Sequence, residues 1–204
     1  MKKRYGIVFL LLTIYALLAP GAGAGNDPYL ASLATGRFEE VDPLVTAVFS
    51  MLGVYPLLFA ALLLPKDQYR LPAWPFVLAS FVTGAFAILP YLFLRGKKAR
   101  EVPRGPGFLQ RAFSSRLYLL LILLLSLAAY IAAGNGSGSA YAEAYTASSL
   151  VSVMSVDFLV VIWLARDILR TDWQPPRLWA SWIPGIGPAL VLLGRSIAPA
   201  DKSD

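Results

Sequence analysis

Six apolar runs separated by short polar connections fill most of this 204-residue chain, at 5–19, 44–64, 74–94, 117–133, 147–169 and 179–193. A helix needs about 20 mostly apolar residues to cross the roughly 30 Å hydrocarbon layer of a bilayer, where each backbone polar group must find its partner within the protein. The pattern predicts an all-α fold: a polytopic transmembrane helix bundle of about six spans, with no separate soluble domain. Composition points the same way, with 57% hydrophobic and 15% charged residues, against about 25% charged in soluble domains.

The runs fall into two sets of three. One constant offset places Val48 on Val151, Met51 on Met154, Pro72 on Pro175 and Gly84 on Gly187. Residues 5–95 form a first half, 96–112 a basic connector, 113–195 a second half and 196–204 a polar tail. With three spans in each half, the two copies would face opposite ways, the 3+3 inverted repeat seen in many transporters. Identity between the halves is otherwise sparse, so the duplication rests on matched architecture and a few Pro, Gly and Met positions.

The chain has no His and no Cys. That removes disulfides, thiol chemistry, His-ligated haem, His-rich metal sites and a Ser-His-Asp triad. No cofactor is expected. The net charge of +6 does not point to nucleic acid, because the basic residues sit at span ends and in the connector, where membrane anchors belong.

The first run follows Lys2, Lys3 and Arg4 and leads into Ala22, Gly23 and Ala24, a layout shared with cleaved signal peptides. The repeat needs this segment to match 117–133, which favours a retained helix. The polar stretch 21–43 reads as an extramembranous loop. In the connector, Lys97, Lys98, Arg100, Arg104 and Arg111 suit anionic lipid headgroups, with Phe108, Leu109 and Phe113 dipping into the interface; the same charges also serve as a topology signal. Three spans between the basic N-terminus and the basic connector would put them on opposite faces. The balance of Lys and Arg then favours a cytoplasmic or stromal connector and outward termini.

Asp157 is the most informative single residue, because it lies mid-run and its counterpart in the first half is Val54. A carboxylate near a helix centre costs about 2.5–3.5 kcal/mol on insertion scales, so it must face protein or water. It would either couple to a proton or cation, or satisfy backbone groups freed at a kinked neighbour. Ser148, Ser152 and Ser155 share a helix face suited to close packing, which gives 147–169 protein contacts on two sides. Asp167 has Arg170 within reach at i+3. Pro184, Gly185, Gly187 and Pro188 interrupt the last run, either lining a site as in broken transporter helices or kinking a short span.

At residues 84–95, with Gly84, Pro90 and Arg95, and again at 155–163 around Asp157, the chain resembles an uncharacterised family of small multi-pass membrane proteins of cyanobacteria, other bacteria and chloroplasts. The family pattern joins an Asp-bearing span to a Gly-containing span that ends in Pro and Arg. Here the first half has Gly84, Pro90 and Arg95 without an Asp, while the second has Asp157, Gly187 and Arg195 with the Pro displaced to 188. The resemblance implies an integral protein of the inner, plasma or thylakoid membrane and carries no activity.

The leading expectation is a non-enzymatic component that packs with other membrane protein helices in a larger complex. A small proton- or cation-coupled transporter or channel using Asp157 is the alternative. A lipid- or pigment-modifying enzyme comes third, because the usual catalytic groups are missing.

Overall fold

In a computed structural model, residues 3–20, 27–176 and 178–197 are described. All described elements are helical. Ten α-helices follow in order: α1 Lys3–Leu18, α2 Leu30–Thr35, α3 Pro43–Leu63, α4 Trp74–Thr83, α5 Ala85–Leu94, α6 Gly107–Phe113, α7 Arg116–Ala133, α8 Gly138–Ala147, α9 Ser149–Ile168 and α10 Ile186–Ile197. Three stretches, Pro43–Lys66, Gly107–Ala133 and Ser149–Trp173, are long and apolar enough to cross a membrane. The six expected spans reduce to these three together with the 16-residue α1 and two broken elements.

The third expected span, 74–94, is the clearest correction. It is two ten-residue helices, α4 and α5, folded against each other about Gly84. Phe76, early in α4, stacks at 5.4 Å on Tyr91, late in α5. The flanking segments meet through a bridge between Tyr69 and Lys98. Gly84 has φ +55° and ψ −126°, a combination that only glycine adopts without strain. Each arm is about 15 Å long at 1.5 Å per residue, so the chain enters and leaves the hairpin at one end of the bundle.

That geometry also corrects the expected charge topology. Arg4 at the start of α1 pairs with Asp167 at the end of α9, and Arg95 after α5 pairs with Asp172 just beyond α9. The connector backbone is tied to the turn after α3, where the Arg104 N–H donates to the Asp67 carbonyl at 2.8 Å. The N-terminus and connector therefore share one end, the basic end. Asp27, Asp42 and Glu143 mark the far end. Because α1 and α7 both start at the basic end, these two helices run in the same direction, and the expected inverted arrangement is not what they adopt.

The long helices start on capping residues, which fixes their phase. Asp42 accepts from the Leu44 N–H, Ser115 from Tyr118 and Ser148 from Val151. The core lies between α3, α7, α9 and the hairpin, with Leu58, Phe59, Ile88, Leu89, Ile122 and Leu164 fully buried. The first run packs as a helix of the bundle, since Tyr5 and Leu12 of α1 are buried and Phe9 meets Phe86. Residues 22–24 and the tail 198–204 lie outside the described residues. The short helices α2 and α8 stand where the sequence reading placed loop.

The sixth expected span is likewise broken. A 3₁₀ turn, Leu178–Trp182, precedes a break at 183–185 and then α10. Gly185 has φ +69°. A Cβ on Gly187 would lie 2.7 Å from the Ala180 carbonyl carbon, so glycine permits the close approach of α10 to the preceding turn.

Candidate functional site: a carboxylate at the hairpin tip

Asp157 lies at the middle of α9 and is 5% exposed. Its carboxylate accepts from the Ala85 N–H at 3.0 Å (Oδ1) and 3.3 Å (Oδ2). Ala85 is the first residue of α5, so the carboxylate caps a helix that begins inside the bundle and meets its positive dipole end. No basic side chain pairs with Asp157 among the described residues. One neutral donor leaves most of its acceptor capacity unused.

Gly84 admits this contact. A Cβ there would run into Asp157 Oδ2 and lie 2.9 Å from its Cγ. Asp157 of α9 thus meets Gly84 at the hairpin tip, a contact between residues 73 positions apart. Of the two roles the sequence leaves open for Asp157, coupling to a proton or cation and satisfying backbone freed at a broken neighbour, the Ala85 N–H contact is of the second kind and leaves the first open. The sequence reading did not foresee which break. A glycine midway through a run whose two ends both carry polar and charged residues was the available signal for a hairpin.

A cavity of about 340 Å³ opens above the tip. Asp157 and Gly84 form its floor, Gly53 and Leu52 of α3 one wall, and Met154 and Leu150 of α9 another. Phe49, Phe81 and Phe86 complete an apolar lining. Leu150 stands seven positions before Asp157, so the space reaches about 10 Å along the axis toward the far end.

Ser152 and Ser155 do not join this site. Ser152 is fully buried and shares a 2.6 Å hydrogen bond with the Tyr15 hydroxyl, which in turn meets Tyr145. Ser155 meets Tyr141 at 2.5 Å. These serines, predicted to permit close helix approach, instead receive tyrosine hydroxyls from α1 and α8, and α9 is packed on several sides as expected. The Asp27 carboxylate spans the N-terminus of α9, accepting from Ser148 Oγ at 2.8 Å and the Leu150 N–H at 3.0 Å. Burial pushes the Asp27 carboxyl up, but these donors, the Tyr29 N–H and Ser149 outweigh it and hold it below its usual range.

At the other break, Gly185 lies against Ser126 and Met51, and Tyr130 donates to the Pro184 carbonyl at 3.3 Å. Pro184 lines a smaller apolar cavity of about 180 Å³ with Met51 and Phe158. Gly187 and Pro188 belong to the start of α10 and are buried. Each break therefore rests on long helices of the bundle, but only the first has a carboxylate.

The basic end contains a second set of charged groups. Arg95 and Asp172 form a bidentate pair at 2.6 and 2.9 Å, and the Arg95 guanidinium lies 4.3 Å from the Tyr69 ring centroid. Asp167 engages Arg4 and Tyr5, both at 2.5 Å, and not Arg170 as its spacing suggested. Of the proposed headgroup contacts, Lys97, Lys98, Arg100 and Arg111 are exposed. Arg104 differs, because it donates to the Tyr69 carbonyl at 3.1 Å and sits 3.6 Å from Asp67, and so braces the connector.

Comparison with protein-family models, curated proteins and solved structures returns no match.

Proposed function

We propose that the chain is an integral membrane protein that handles a proton or small cation at Asp157, acting as a small carrier or channel. The observation that carries this reading is the cavity ending on a buried, under-satisfied carboxylate at the tip of a broken hairpin. Within a bilayer, arms of about 15 Å put that tip near the middle of a hydrocarbon layer roughly 30 Å thick. Unwound backbone at that depth is tolerated where protein or a water-filled cavity satisfies it. Half-helix ends pointing at an ionisable group are a recurring feature of ion and substrate sites. The basic end would face the cytoplasm by the positive-inside rule, with the exposed connector lysines and arginines against anionic lipid.

The test is flux through the purified chain in proteoliposomes, followed with an entrapped pH-sensitive dye under an imposed potential. Asp157→Asn retains a side-chain carbonyl to accept from the Ala85 N–H but cannot ionise. Wild-type flux that the substitution abolishes, with helical content unchanged, is the expected result. Flux equal in both, or none in the wild type, would remove the reading.

Packing within a larger membrane complex keeps one observation in its favour, the exposed ridge of Leu117, Leu120, Leu124, Leu127 and Ile131 on α7. Isolation in mild detergent as a lone monomer counts against it.

A further inference from the structure

We propose that the cavity above Asp157 takes a monovalent organic cation, an amine or quaternary ammonium with an apolar body. The proposal rests on the carrier reading and narrows its substrate class.

Size is the first argument. At about 340 Å³ the cavity falls in the range of small-molecule sites, about 300–1,000 Å³, and far exceeds what a proton or bare metal ion needs. Lining chemistry is the second. A dehydrated metal cation requires several oxygen ligands, and no cluster of three or more acidic, His or Cys side chains exists among the described residues. Ser80 and Thr83 also line the cavity; they donate to the Val77 carbonyl at 2.7 Å and the Ala79 carbonyl at 3.0 Å, so their oxygens add at most two neutral ligands to the carboxylate, fewer than a bare ion takes. What the cavity offers is Phe49, Phe81, Phe86 and Met154 around one carboxylate, the composition that receives substituted ammonium ions.

Charge is the third. Asp157 is 5% exposed, has one backbone donor and lacks a basic partner among the described residues, so a cation in the cavity would complete it. A neutral apolar guest would leave the carboxylate unpaired. A divalent ion would find too few oxygens.

Two substitutions separate the terms of the argument. Asp157→Asn removes the charge and keeps the shape. Gly53→Leu fills space from α3, where an added Cβ meets nothing within 4 Å, and leaves Asp157 untouched.

Binding of benzyltrimethylammonium to the full chain in lipid nanodiscs, followed by calorimetry, tests the proposal against its uncharged isostere neopentylbenzene and against sodium chloride. The expected result is saturable binding of the ammonium probe, weakened at least about tenfold by Asp157→Asn and by Gly53→Leu, and by roughly fivefold in Phe86→Leu. Sodium should compete poorly. Equal binding of the neutral isostere, or retention of ammonium binding in Asp157→Asn, would overturn the assignment. If the probe fails to bind while Asp157-dependent proton flux persists, the substrate class falls and the carrier reading stands; if flux is absent as well, both fall.

Discussion

Gly84→Ala is the most direct probe of the hairpin tip, because one added methyl acts on both the backbone and the carboxylate. At φ +55° and ψ −126°, a residue bearing a Cβ is strained by about 1–3 kcal/mol. The new carbon also runs into Asp157 Oδ2 and approaches Cγ to 2.9 Å, so the carboxylate must leave the Ala85 N–H. Losing a charge-assisted hydrogen bond adds about 1.5–3 kcal/mol. Together the expected destabilisation is roughly 2.5–6 kcal/mol. Gly53→Ala is the matched control: it sits within α3 with open space at its Cβ, and it should be neutral or stabilising by up to about 1 kcal/mol. Reversible unfolding in mixed micelles, followed by far-UV circular dichroism, measures both. A double variant, Gly84→Ala with Asp157→Ala, removes the clashing oxygen and should recover part of the loss. Equal stability of Gly84→Ala and wild type, or no coupling in the double variant, would refute the account of the tip.

Other consequences are open to test. Arg95→Met should cost about 3–5 kcal/mol in the same unfolding assay, because it leaves Asp172 buried without its bidentate partner, whereas Arg95→Met with Asp172→Leu should cost much less. The folded carboxyl of Asp27 lies below its unfolded value of about 3.9, so its stabilising contribution is fully present above about pH 4 and lost as pH falls through the folded value. Amide exchange at Leu150 should rise selectively in that acidic window, and Asp27→Asn should flatten the rise. The chain lacks cysteine, so single-cysteine variants at Lys3, Lys98 and Glu143 can be labelled from each side of sealed vesicles. Lys3→Cys and Lys98→Cys should react from one side and Glu143→Cys from the other; opposite reactivity of the first two would rule out the hairpin topology.

Much of the bundle was legible because lipid-length apolar runs have few alternatives. The runs at 44–64, 117–133 and 147–169 correspond to α3, α7 and α9 within a few residues, and Pro43 and Ser148 mark two of the starts. The break around Pro184 and Gly185 was also readable, since Pro and Gly interrupt helices wherever they cluster. The hairpin was not. Its two arms form one continuous apolar stretch, and hydropathy is blind to a reversal made by one glycine. Counted as a span, it displaces everything that depends on the number of crossings, including the inverted arrangement and the apparent conflict between the two basic segments.

The partners of the polar residues were least accessible. Ser152 with Tyr15, Asp167 with Arg4 and Asp172 with Arg95 are each separated by more than seventy positions, and local spacing suggested nearer partners or none.

By itself the sequence determined that this chain is helical and membrane-like, that thiol and imidazole chemistry are absent, and that Asp157 must be sheltered, because composition and burial cost do not depend on topology. Tertiary structure alone decided what shelters it. A helix start freed by the turn at Gly84, from the other half of the chain, supplies the one donor, and the space left above the tip becomes the cavity. Only folding brings a backbone N–H of residue 85 to a carboxylate at 157, since no local rule couples residues so far apart.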